Sequence, residues 1–258
     1  MTGAAGCDGY IICATPRSGS TLLCDMLEAT GVAGRPDSFF MADPDPHWHQ
    51  VWGLPRPGAP DDAAYARAFV AAARRAGRDA AGRFGMRLMQ RDLDRFLGLV
   101  QLACPEGRNT RDRLTRCFGR CLFVHLTRED KLAQAVSLVI AQQTGLWHIT
   151  ASGAERERLA PPAPPRYDRD RITQALSDLT GQDRLWADWF TRTGIRPIRL
   201  TYKALSADPG AEVARLCRSL GVAPPGPQPL RPDLGRLSNA VNTDWINRFM
   251  QDGTLPPV

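Results

Sequence analysis

The sequence predicts an α/β fold, a central parallel sheet flanked by helices on both faces. Three observations predict it. Short apolar runs near residues 10–14, 83–88, 121–126 and 197–202 alternate with longer stretches whose apolar residues recur at helical spacing. Two of those runs lead straight into a loop or helix start that carries an arginine, Arg17 after the first and Arg128 after the third. No internal repeat interrupts the alternation, so one domain over residues 1–258 is expected.

The first unit is the most informative. Tyr10-Ile11-Ile12-Cys13-Ala14 suits a buried strand, Thr15 to Thr21 is a loop of small residues holding one cation, and Leu22, Leu23, Met26 and Leu27 share one helical face. Strand, tight loop and helix together aim several backbone N–H groups and a helix N-terminus at one anionic group. Gly31 is placed to end that helix. A nucleotide-hydrolysing loop of this kind needs Gly-x-x-x-x-Gly-Lys-[Ser/Thr]. Here Ala14 replaces the first Gly and Ser20 replaces the Lys, while the cation, Arg17, precedes Gly19.

Further along, residues 41–61 are rich in Pro, Asp, His and Trp and read as a long loop, with His47, Trp48, His49 and Trp52 as candidate sugar-stacking or anchoring groups. Residues 61–78 read as an amphipathic helix, 82–88 as a strand ending in a cation, 89–103 as a helix, and 104–118 as a polar, Arg-rich linker. After the strand at 121–126, a helix carries Gln134 and Ser137 on one face behind Arg128, an arrangement suited to clamping a phosphate. Residues 141–170 contain a Pro-rich loop. Helices follow at 168–189, at 212–220 and from Trp245 through Phe249, with the fourth strand between the first two.

Composition sets bounds on partners. The net charge of +6 favours anionic ligands, and the arginines are spread along the chain, which suits a phosphate-rich small molecule and argues against a nucleic-acid surface. The seven cysteines lack a metal-binding spacing and read as free thiols in a reducing compartment, so no metal is expected. No leader pattern and no apolar run of membrane-spanning length is evident, which makes the cytoplasm the expected location.

Four blocks then carry a family resemblance. They are Pro16-Arg17-Ser18-Gly19-Ser20-Thr21-Leu22-Leu23; Gly31-Val32-Ala33-Gly34 with Pro36 and Phe39-Phe40; Arg128 through Gln134-Ala135-Val136-Ser137; and Arg236 with Trp245. In this order they resemble the bacterial Stf0 sulfotransferases over most of the chain. The resemblance implies a P-loop-like sulfotransferase fold and a donor, 3′-phosphoadenosine 5′-phosphosulfate (PAPS). It also implies an acceptor hydroxyl on a carbohydrate or glycolipid such as lipopolysaccharide, no metal, and a homodimer. Arg17, Ser18, Gly19, Ser20, Thr21 and Leu22 would hold the 5′-phosphosulfate. Arg128, Gln134 and Ser137 would hold the 3′-phosphate, with Arg236 a further contact. Pro16, Arg35, Pro36, Asp37, Ser38, Phe39, Phe40, Trp48 and Trp52 would shape the acceptor side.

One position departs from the family pattern. A glutamate base precedes the paired aromatics in the family's type member, and this chain has Ser38 there. The remaining base candidates are Asp37, His47, His49, Asp43 and Asp45. The change, together with Pro16, implies an acceptor different from that of the type member. Two other readings stand beside sulfuryl transfer: a kinase built on the same loop shape, and a non-catalytic nucleotide-binding relative that lost its base.

Overall fold

The structure, a computed structural model, describes residues 7–41, 47–54, 63–224, 226, 233–235, 237 and 239–253, with only the backbone of His47 and His49. Its centre is a four-stranded, all-parallel sheet in the order β2-β1-β3-β6, formed by β1 (Gly9–Ala14), β2 (Phe84–Met89), β3 (Cys121–Thr127) and β6 (Ile198–Thr201). All four expected strands are present.

β1 is buried along its whole length because both of its faces are covered. Ile11 and Cys13 point into a core built from α3 (Ala63–Ala76), α4 (Leu93–Ala103), α5 (Thr110–Phe118) and the long α7 (Arg169–Thr193). Tyr10, Ile12 and Ala14 point the other way, onto α1 (Ser20–Ala29) and α9 (Pro209–Leu220). Period-two alternation thus feeds two helical layers, which is why the run reads as continuously apolar. A third cluster joins α6 (Lys131–Thr144), α7 and α10 (Ala240–Gln251) through Val136, Val139, Ile172, Leu179, Trp245 and Phe249.

Three segments differ from the sequence expectation. Residues 104–118 are not a linker: Asn109 caps α5 by accepting from the Asp112 N–H at 2.9 Å, and Leu114, Cys117 and Phe118 are buried at i, i+3, i+4 spacing beneath the arginines. The loop at 41–61 contains a short helix, α2 (His47–Trp52), whose Trp48 and Trp52 stack at 5.0 Å and lean on Phe39. The stretch 141–170 contains an antiparallel hairpin, β4 (Leu146–Ile149) and β5 (Glu155–Arg158), in which His148 faces Glu157. The fourth strand also stops at Thr201, whose side chain caps a short helix, α8 (Tyr202–Ala207). Among the described residues no helix is long and apolar enough to cross a membrane.

Candidate active site

The loop between β1 and α1 lies at the carboxyl end of the parallel sheet, the edge at which ligands bind in such folds. Its shape is fixed from below. The Ser18 hydroxyl donates to the Thr15 carbonyl at 2.8 Å, and the fully buried Gln134 donates from Nε2 to Thr15 Oγ1 at 3.0 Å and to the Pro16 carbonyl at 2.6 Å. Trp186, buried in α7, donates from Nε1 to the Ala14 carbonyl at 3.1 Å, which secures the strand end. Gly19 turns the chain into α1 with φ 89°, and a Cβ there would lie 2.6 Å from the Tyr202 ring.

Arg17 is the one non-glycine residue with positive φ, 61°, among the described residues. Its Nε donates to Ser137 Oγ at 3.0 Å and its Nη1 to the Trp147 carbonyl at 2.6 Å. Arg128 donates from Nη1 to the Arg17 carbonyl oxygen at 3.4 Å, and its guanidinium lies 4.8 Å over the Tyr202 ring. Burial, and then the charge of Arg128, draws Arg17 down to about 10. Burial lowers Arg128 as well. Two cations are therefore held together in a partly dry site, and no carboxylate pairs with either of them among the described residues. A cavity of about 340 Å3 opens beside Arg17, walled by Ser137, Ile140, Leu146, Arg158, Pro162 and Asn242.

A second cation, Arg87 at the end of β2, organises the other side. Its Nε donates to Ser38 Oγ at 2.7 Å, and its Nη1 donates to Thr21 Oγ1 at 2.8 Å. Its Nη2 stands 3.9 Å from Asp37 Oδ1. Thr21 Oγ1 in turn meets His148 Nε2 at 3.1 Å, and the same ring nitrogen lies 3.3 Å from Glu157 Oε2. Burial, then the charges of Arg17, Arg87 and Arg156, holds His148 down at about 3, so its imidazole is neutral at pH 7.

The structure brings Arg17, Ser18, Gly19, Ser20, Thr21, Arg128, Gln134 and Ser137 together around this loop, with Pro16 contributing its carbonyl. Leu22 packs its side chain against the core on the α1 side. Asp37 and Ser38 reach the site through Arg87. Phe40 does not: it is buried among Phe69, Phe96 and Phe118. Pro36 is buried, and Phe39 packs beneath Trp48 and Trp52 at the core margin. Trp48 also donates from Nε1 to the Ser38 carbonyl at 3.1 Å. Arg35 points elsewhere, its exposed side chain pairing with Glu28. Arg236, Asp43, Asp45 and the side chains of His47 and His49 lie outside the described residues.

Four contributors escaped the sequence reading: Arg87, Tyr202, His148 and Glu157. Arg87 was visible as a strand-end cation, but its partners Thr21 and Ser38 are far from it in the chain. His148 and Glu157 lie on a hairpin with no apolar alternation to announce it.

The family model described as Stf0 sulphotransferase matches residues 9–252. The chain is 31% identical to a trehalose 2-sulfotransferase of Mycobacterium tuberculosis, over 93% of each chain. It is 29% identical to one of Mycolicibacterium smegmatis, over 94% of each. Among solved structures, the sulfotransferase domain of the Synechococcus PCC 7002 olefin synthase aligns with 97% of this chain and 89% of its own, at 19% identity and a TM-score of 0.41.

Proposed function

The chain belongs to the Stf0 sulphotransferase family, and from that premise we propose that it moves a sulfuryl group from PAPS to a hydroxyl of a carbohydrate or glycolipid acceptor. The observation that carries the donor half is the contact of Arg128 with the Arg17 backbone at the head of α1, beside a cavity lined by Arg17 and Ser137. Burial, and then the charge of Arg128, weakens Arg17 as a cation; an anion offsets this, and a donor with phosphate at both ends of an adenosine supplies that charge twice.

In this reading the backbone N–H groups of Ser18 to Thr21 and the N-terminal end of α1 hold the 5′-phosphate. Arg128 and Ser137 hold the 3′-phosphate, while the apolar walls Ile140, Leu146 and Pro162 take the adenosine. PAPS supplies an activated sulfuryl group. Arg17 leaves Ser137 and faces the charge that grows on the bridging oxygen, an electrostatic role suited to a partly dewatered site. Arg87, held by Ser38 and Thr21, presents a third positive charge to the same region.

The acceptor side differs from what a glutamate-bearing relative would offer, since Ser38 spends its hydroxyl on Arg87. Other disaccharides and glycolipids are the acceptors to try, with trehalose, named for both relatives, as the reference. Calorimetric titration with adenosine 3′,5′-bisphosphate (3′,5′-ADP) and with Mg-ATP tests the donor assignment. Tight binding of the bisphosphate alone is expected, and equal or stronger binding of Mg-ATP would return the kinase reading.

A further inference from the structure

With Ser38 in place of a carboxylate, the site needs another group to take the acceptor's proton, and the hairpin β4–β5 supplies a candidate geometry. Thr21 Oγ1 accepts a hydrogen bond from Arg87 Nη1 at 2.8 Å, so its own proton is free to be donated to His148 Nε2 at 3.1 Å. In the tautomer that carries its proton on Nδ1, Nε2 takes this hydrogen bond and presents its lone pair to the site. Glu157 Oε2 stands 3.3 Å from that nitrogen, and in this tautomer it accepts from Nε2 once Nε2 gains a proton. Arg87 meanwhile reaches Ser38 Oγ with Nε. One guanidinium therefore spans the vacated position and the neighbour of the imidazole.

We propose, resting on the sulfotransferase reading above, that His148 is the residue that removes the proton from the acceptor hydroxyl, with Glu157 stabilising the imidazolium that forms. The acceptor hydroxyl takes the place of Thr21 as donor to Nε2. As the acceptor oxygen forms its bond to sulfur, the O–H bond breaks and its proton passes to Nε2. The S–O bond to the 5′-phosphate breaks with its electron pair, and 3′,5′-ADP leaves. Protonated Nε2 then donates to Glu157.

The charged groups facing the ring explain why it waits for the donor. Arg17 faces it from the loop, Arg87 from β2 and Arg156 from β5, where Arg156 is held by Asp25 of α1; the lone opposing charge among these contacts is Glu157. In the free protein burial, and then these three cations, keep the imidazole neutral and a poor proton acceptor. Donor phosphates and sulfate offset Arg17 and Arg87 and raise its proton affinity at the moment it is used. Asp37, the carboxylate 3.9 Å from Arg87 Nη2, accepts from the Ser38 N–H at 2.6 Å.

The test uses the full chain, which holds four histidines, with His148→Gln identifying the resonance. NMR titration of the imidazoles is run without and with saturating 3′,5′-ADP, alongside calorimetry of the nucleotide and release of 3′,5′-ADP from PAPS in a carbohydrate pool with trehalose as the reference. The expected result is a His148 midpoint far below the ordinary histidine value in the free protein. With nucleotide bound, that midpoint should rise by at least about tenfold in proton affinity. His148→Gln should bind 3′,5′-ADP within about threefold of wild type and lose about 10²–10⁴-fold in turnover, and Ser38→Glu in that background should restore part of the loss. A midpoint that does not move although nucleotide binds, or wild-type turnover in His148→Gln, overturns the role of His148 alone. Failure of the wild type to bind 3′,5′-ADP overturns the donor assignment, and this proposal with it.

Discussion

Arg128 Nη1 donates to the backbone carbonyl oxygen of Arg17 at 3.4 Å. The cation at the end of β3 thus supports the backbone of the loop that follows β1, although the two residues are 111 positions apart in the chain. Tyr202 completes the junction, lying under the Arg128 guanidinium and against Gly19. Local sequence makes each loop, and the parallel pairing of β1 with β3 brings them together.

Replacing Arg17 by glycine should separate function from stability. Glycine adopts φ 61° without strain, and the change removes a partly buried cation that faces Arg128. Turnover is expected to fall by about 10²-fold or more, while the melting temperature holds or rises by a few degrees. Differential scanning calorimetry and a PAPS turnover assay read the two quantities. Near wild-type turnover would remove Arg17 from the chemistry.

Gly19→Ala should harm both. The new methyl would meet the Tyr202 ring at 2.6 Å, at a backbone φ of 89° that side chains disfavour. A loss of about 1–3 kcal/mol is expected from urea unfolding. Affinity for 3′,5′-ADP should weaken in parallel, because the displaced ring also carries Arg128.

Arg87→Met keeps an unbranched apolar stem and deletes the bonds to Ser38 Oγ and Thr21 Oγ1. Two largely buried hydroxyls then lose their donor, which should cost about 1–3 kcal/mol in urea unfolding. Turnover should drop more than nucleotide affinity does, because Arg87 lies on the acceptor side of the loop. An unchanged unfolding midpoint would contradict this account.

His148 makes stability depend on pH in a defined window. Its folded value, about 3, lies below the ordinary 6.5 of an unfolded histidine. Between these values the unfolded chain binds more protons, so this contribution is fully present above about 6.5 and is lost as pH falls toward 3. His148→Gln should therefore show a shallower fall in melting temperature from pH 7 to pH 4 than wild type. Parallel curves for the two proteins would contradict the lowered value.

Much of this was readable in the chain itself. Tyr10 to Ala14 and Cys121 to Leu126 are apolar runs bounded by loops, and burial on both sheet faces is what makes them so. That Arg17 to Thr21 lie close to Arg128, Gln134 and Ser137 was legible because each motif is short and contiguous, whereas the task of the buried Gln134, propping the loop from beneath, was not. α5 was hidden because it carries three arginines, Arg111, Arg113 and Arg116, and its buried face only Leu114, Cys117 and Phe118. β5 reads Glu155-Arg156-Glu157-Arg158, without an apolar residue, and takes its place through backbone pairing with β4 and the Arg156–Asp25 ion pair. The aromatics at 39 and 40 resisted assignment for the opposite reason. Core and pocket walls use the same residue types, and only the packing of Phe40 on three other phenylalanines tells them apart.

The central claim is that Arg17 and Arg128 together grip an adenosine phosphorylated at both ends. Its most direct test is calorimetric titration of 3′,5′-ADP into wild type and Arg128→Ala. The account predicts tight binding by the wild type, weakened about 10–100-fold in the variant by loss of roughly 1.4–2.8 kcal/mol of charge-assisted contact. An Arg128→Ala protein that binds the bisphosphate as tightly as wild type would contradict it.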